Sequence, residues 1–174
     1  EETEGTVILY QGEYIEPLFH RASAGRTRDG IHPYLVSVDS REDLESENYM
    51  TFDMWTPEQF TTLIHQLAEG ESVMPDQIPD SIQLIGREEG GYVTDIMIGS
   101  HSFDGEAVRE ALDLPSAAYT LESYEGNVRV MCQGQGHGYG MSQYGACKKA
   151  EAGMTAEEIL RYYFQGVEIF CPEP

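Results

Sequence analysis

The 174 residues carry 31 acidic against 10 basic side chains, a formal net charge of −21, and 40% of them are apolar. That apolar share is what a folded chain needs, and the length suits a single domain over 1–174. The charge argues against a nucleic-acid binder, because phosphate contacts need Lys and Arg, and against an anionic membrane surface; no apolar run approaches the ~18 residues of a membrane span.

The first elements read as a hairpin. Thr6–Tyr10 is rich in strand formers, Gln11-Gly12-Glu13 turns, and Tyr14–Phe19 returns with Pro17 marking an edge or irregular stretch. A loop of small and polar residues follows, Phe19 to Arg28. With nearby Arg41, its Arg21, Arg26 and Arg28 make four of the ten basic side chains. They are either an anion-binding patch, for a carboxylate or phosphate, or a counterweight to the acidic run that follows. Pro33–Val38 predicts a short strand, and the acidic run 39–49 predicts a solvated loop without the glycine and spacing of an EF-hand.

Tyr49–Met54 reads as extended. Thr56, Pro57 and Gln59 then form a capping box, and Phe60, Leu63, Ile64 and Leu67 one helical face, stopped by Gly70. Residues 71–80 are a loop. Strands are expected at Ser81–Ile85, Tyr92–Ile98 and His101–Phe103, and Asp104 caps a helix to about Leu112. Ala118–Ser123 and Val128–Cys132 pair around Glu125-Gly126-Asn127. Helices over 145–152 and from the Thr155/Glu158 capping box onward, then a strand at Val167–Phe170, close the chain. The sum is an α+β fold, mostly antiparallel hairpins with three to four short helices packed on them. The three cysteines are Cys132, Cys147 and Cys171. The odd number leaves at least one unpaired within the chain; a bridge from Cys171 to Cys132 or Cys147 stays open.

One stretch stands out. Gln133 to Ala146 places glycines at 134, 136, 138 and 140, with His137 among them and Ser142, Gln143 and Tyr144 just after. Such glycine density permits close approach of another chain and shapes a backbone surface.

The run Gly136-His137-Gly138-Tyr139-Gly140-Met141-Ser142-Gln143-Tyr144-Gly145-Ala146 resembles the stage II sporulation protein D family, which includes amidase-enhancer proteins of bacterial cell walls. So does Phe19-His20-Arg21-Ala22-Ser23-Ala24-Gly25-Arg26-Thr27. Tyr34–Ser40 and Tyr162–Ile169 also fit, in order, from about Glu4 to Ile169. The resemblance implies a peptidoglycan glycan strand as partner and lytic transglycosylation as activity: cleavage between N-acetylmuramic acid and N-acetylglucosamine to leave a 1,6-anhydro end. It implies that His20, Ser23, Gly25 and Thr27 of one loop and Gly136, His137, Gly138, Ser142, Gln143 and Tyr144 of the other line the glycan cleft, with Tyr139 or Tyr144 stacking on a sugar.

The reaction needs one carboxylic acid, first proton donor and then base. The family's catalytic glutamate lies on a helix ahead of the Thr6–Tyr10 strand. It is expected upstream of residue 1, so 1–174 is expected to be a piece of the domain and inactive alone, with Glu16 the nearest in-chain substitute. No organic cofactor is implied. Some members bind zinc through the loop histidine and two nearby cysteines; no cysteine follows His20 within a hundred residues, so no metal is carried over. The location implied is extracytoplasmic, anchored or secreted through an upstream segment, and a cell-wall amidase is a further implied partner. A non-catalytic glycan-binding or amidase-modulating module is the alternative, and a metal-dependent hydrolase using His20, His32 and His137 a third reading.

Overall fold

In the computed structural model, which describes residues 5–67 and 73–170, the strands are β1 (Val7–Tyr10), β2 (Glu13–Tyr14), β3 (Phe19–His20), β4 (Met50–Trp55), β5 (Ile82–Arg87), β6 (Val93–Ile98), β7 (His101–Asp104), β8 (Tyr119–Tyr124), β9 (Asn127–Gln133), β10 (Met141–Ser142) and β11 (Glu168–Phe170). The helices are α1 (Pro57–Ile64), α2 (Gly105–Ala111), α3 (Gln143–Glu151) and α4 (Ala156–Tyr163). The α+β expectation holds. The sheets are small, ordered β11-β1-β2, β4-β9-β8 and β5-β6-β7, all antiparallel, plus the parallel pair β10-β3.

Local chemistry sets the borders. The β1–β2 and β8–β9 hairpins turn on Gln11-Gly12 and Glu125-Gly126, both residues of each pair at positive φ, the backbone that matches strand twist. Both expected capping boxes form: Thr56 with Gln59 starts α1, and Thr155 with Glu158 starts α4. On α1, Phe60 and Ile64 are buried and Leu63 and Leu67 pack beside them. The helix ends at Ile64; the Gly70 stop lies outside the described residues.

Three expectations are corrected. The return strand Tyr14–Phe19 breaks after Tyr14: Pro17 has no amide, the Leu18 amide donates back to the Glu16 carbonyl at 2.9 Å, and Phe19–His20 joins β10 instead. Pro33–Val38 is irregular, because its polar groups bond into the preceding loop. The Val38 amide donates to Thr27 Oγ1 at 2.9 Å and the Ser37 amide to Asp29 Oδ1 at 2.7 Å. The acidic run is not merely solvated: Arg41–Glu45 is a 3₁₀ turn with Asp43 fully buried.

Among the described residues two main apolar clusters result, with a small third one of Tyr92, Ala117 and Ala118. The larger joins Phe60, Ile64, Ile96, Ile98, Val108, Val128 and Val130 between α1, α2 and two of the sheets. A fully buried side chain of this size contributes about 1.5–3 kcal/mol. The smaller gathers Tyr34, Leu35, Ile159, Tyr163, Phe164 and Val167 around α4. Cys132 belongs to the first and Met141 packs on the second, so the glycine stretch between them crosses from one core to the other.

Three of the four clustered arginines are paired with carboxylates, but only Arg41 with one of the acidic run that follows the loop. Arg28 forks onto Glu88 at 2.6 and 2.9 Å, Arg41 pairs with Asp39 at 3.0 Å, and Arg26 lies 3.7 Å from Glu89. Cys132 and Cys147 are free thiols; Cys171 and the bridges considered for it lie outside the described residues.

Candidate functional site: two loops knitted around a buried aspartate

The glycine stretch lies directly on the Leu18–Arg28 loop. Ala22 and Gln135 exchange backbone bonds at 3.1 and 2.7 Å; the Arg28 amide donates to the Gly138 carbonyl at 2.8 Å, and the Met141 amide to the Leu18 carbonyl at 3.0 Å. The glycines make this approach possible. Gly136 has φ +104°, and a Cβ there would sit 2.7 Å from the His20 Cβ. Gly140 has φ +69°, and a Cβ would meet the Leu18 carbonyl oxygen at 2.1 Å. Such backbone angles and distances exclude other residues. Gly138 leaves room for the Tyr92 ring, and Gly25 sits under Leu44.

The two loop histidines meet, ring centroids 5.7 Å apart and edge-on. His20 is buried, with Nδ1 3.1 Å from the Tyr139 carbonyl. A carbonyl only accepts, so Nδ1 carries the hydrogen and Nε2 a lone pair. Nε2 is buried without a hydrogen-bond partner. Burial, with neighbouring His137, pushes the His20 pKa down to about 4 against the pull of that carbonyl, so the ring is neutral at neutral pH. His137 Nδ1 accepts from the Tyr139 amide at 3.1 Å, which leaves its hydrogen on Nε2.

Beneath the histidines lies Asp43. Its Oδ2 accepts from the Ser23 amide at 2.7 Å and the Ser23 hydroxyl at 2.6 Å, and its Oδ1 from the Ser142 hydroxyl at 2.6 Å. Ser142 Oγ in turn accepts from the Gly145 amide at 3.1 Å and so caps α3. One carboxylate therefore clamps both loops and the start of a helix. Tyr144 extends the grip, its hydroxyl donating to the Glu45 carbonyl at 3.1 Å and its amide to the Arg21 carbonyl at 3.0 Å. Arg28 braces the far side, its guanidinium 4.9 Å from the Tyr92 ring centre and 4.5 Å from that of Tyr139.

The site residues read from the sequence thus fall into two groups. His20, Ser23 and Ser142 are buried and hold the loops together; Thr27 is buried too and ties the first loop to the segment after it by binding Val38. His137 and Tyr144 are half-buried, and Gln143 is exposed on the first turn of α3. Sequence reasoning missed Asp43. Nothing in the run Asp39, Glu42, Asp43, Glu45, Glu47 distinguishes the residue that turns inward.

Next to the loops an open cleft of about 440 Å³ is lined by Glu16, Leu18, Asp29, Gly30, Ile31, His32, Leu35 and Tyr139. Tyr139 connects the two features, since its carbonyl holds His20 and its side chain borders the cleft. Glu16, exposed, thus reaches the neighbourhood of the loops. The residues do not fit a bound metal. His32 stacks on Tyr34, and Cys132 is turned toward the Ser116 carbonyl at 3.3 Å. Among the described residues no three His, Cys, Asp or Glu side chains are grouped to hold an ion.

No family model matches the chain. Individual relatives do. Stage II sporulation protein D of Bacillus subtilis (strain 168) is 31% identical over 173 residues, covering 96% of this chain and 48% of that protein. The protein of the same name from Bacillus amyloliquefaciens matches with the same identity and coverage. Over nearly its whole length the chain is thus similar to proteins named stage II sporulation protein D. It spans about half the length of these relatives. A shorter likeness, 39% over 54 residues and 31% of this chain, is to an amidase enhancer of Bacillus subtilis, of which it covers 8%.

Proposed function

We propose that the chain is the glycan-holding part of a peptidoglycan-acting domain whose reaction is lytic transglycosylation. The observation that carries this is the joining of the two loops into one surface, with Asp43 clamping Ser23 and Ser142. The clamp fixes the backbone, so the groups left to meet a sugar strand are His137, Tyr139, Gln143 and Tyr144. Aromatic faces and amides suit a ligand rich in hydroxyl and acetamido groups. In the reaction the C6 hydroxyl oxygen of the muramic acid bonds to its own C1 as the C1–oxygen bond to the next sugar breaks. An acid protonates the departing oxygen and a base takes the C6 proton. The resemblance to the stage II sporulation protein D family implies that the acid is a glutamate outside residues 1–174, and Asp43, which accepts three hydrogen bonds from the loops, is not free to take its place. The substrate puts the domain on the extracytoplasmic side.

The test is digestion of purified glycan strands by a longer protein containing this chain, with mass spectrometry of the ends. Anhydro-muramic ends are expected from it, and none from residues 1–174 alone. Strand cleavage by 1–174 that is lost in Glu16→Gln would move the acid into this chain. Strands bound without anhydro ends would favour the second reading, a non-catalytic module that binds glycan or modulates an amidase. The likeness to an amidase enhancer supports that reading. Its mark is a faster cell-wall amidase on addition of the chain.

A further inference from the structure

A second surface stands apart from the loops. β4 is an edge strand, paired with β9 on one side only. Its six residues keep regular register from Met50 opposite Gln133 to Trp55 opposite Val128. Along the other side, no backbone group of residues 50–55 has a backbone partner among the described residues. Met50, Phe52 and Met54 alternate onto the outer face and are 41%, 61% and 55% exposed. Trp55, on the alternate set, borders an open cleft of about 450 Å³ with Glu58 and Leu63 of α1.

An open edge of this kind invites pairing, and natural sheets blunt it with Lys, Pro or a bulge. β4 has none of these, its one charged residue being Asp53. Exposed carboxylates flank the open edge, Asp53 on the strand with Glu47 before it and Glu58 after it, while among the described residues the one Lys or Arg of the sheet, Arg129, is held by Glu122 at 2.7 Å and lies over the Tyr124 ring. A second copy would bring these same carboxylates, and another −21 charges, against the first.

We propose that β4 is a docking edge for an extended, Lys- or Arg-bearing segment of a partner protein, which adds to the β4–β9–β8 sheet as a fourth strand. Backbone bonds to the free side of β4 hold the segment. Its alternate side chains pack over Phe52 and Met54 or enter the Trp55 cleft, where Glu58 meets a basic end.

The probe is an acetylated octapeptide of alternating Lys and Val, added to the full 174-residue chain, with a Glu/Val octapeptide as control. Hydrogen exchange at β4 amides is expected to slow about tenfold or more with the Lys/Val peptide only. Phe52→Lys should weaken binding about tenfold or more by loss of apolar cover and added repulsion, whereas Tyr14→Lys, at a residue 77% exposed elsewhere, should leave it unchanged. Because Phe52 is exposed, the variant retains its fold. Four results would overturn the proposal: unchanged β4 exchange, equal binding of the Glu/Val peptide, binding indifferent to Phe52→Lys, or protection of β4 by self-association without peptide.

Discussion

At the scale of single residues, Asp43 and His20 set the properties of the site in opposite ways. Asp43 is buried, and the Ser23 amide and hydroxyl and the Ser142 hydroxyl give its carboxyl oxygens three donors. Asp43→Asn puts an amide nitrogen where an acceptor is needed; unfolding in urea should show a loss of about 2–4 kcal/mol. His20 is buried and neutral. Its pKa lies near 4 in the fold against 6.5 when exposed, so as pH falls from 6.5 to 4 the unfolded chain takes a proton that the folded one refuses. The stability this group supplies is complete above pH 6.5 and declines toward pH 4, by up to about 3 kcal/mol. Other groups titrate in that window, so the measure is the stability of the native chain minus that of His20→Gln. That difference should fall from pH 7.5 to pH 4; a flat difference would mean that His20 takes its proton as readily in the fold as in the unfolded chain.

Among the elements, legibility followed range. The capping boxes at Thr56 and Thr155 and the turn at Glu125-Gly126 are local agreements between neighbours in sequence, and all three stand as read. The parallel pair β3–β10 sets His20 beside Ser142, and the His20 ring meets the Tyr139 carbonyl 119 residues away, neither of which a local pattern encodes. The same holds for Pro33–Val38, whose strand-like composition is overruled by bonds to Thr27 and Asp29. The glycine spacing announced a close approach but not its object. Two glycine substitutions separate these cases. At Gly126, with open space around it, alanine costs only the left-handed backbone, about 1 kcal/mol. At Gly140, alanine also collides with the Leu18 carbonyl and should cost more than about 3 kcal/mol, with a matching drop in melting temperature.

For the whole molecule, the excess of carboxylates is the dominant long-range force. With −21 formal charges the folded chain repels itself, and added salt relieves this. Raising ionic strength from about 0.01 to 0.15 M shortens the screening length from about 30 to 8 Å, so melting temperature should rise with sodium chloride at pH 7. The effect should shrink near pH 4, where carboxylates lose charge. A melting temperature indifferent to salt would show that the ion pairs at Arg28, Arg41 and Lys149 already balance the field.

The pairing of β3 with β10 also makes everything between the two loops a long insert stitched at its base. Closing such a loop costs free energy that grows only logarithmically, about 0.6 kcal/mol per doubling of its length. The Glu125-Gly126 tip is solvent-exposed and closes the β8–β9 hairpin at the end opposite the Tyr119–Cys132 pair that leads into the glycine stretch. A flexible ten-residue segment spliced in there should therefore leave the His20–His137 contact and the Asp43 clamp intact, at about 1 kcal/mol or less. The intervening sheets thus form a part of the molecule whose length can change while the paired loops keep their geometry.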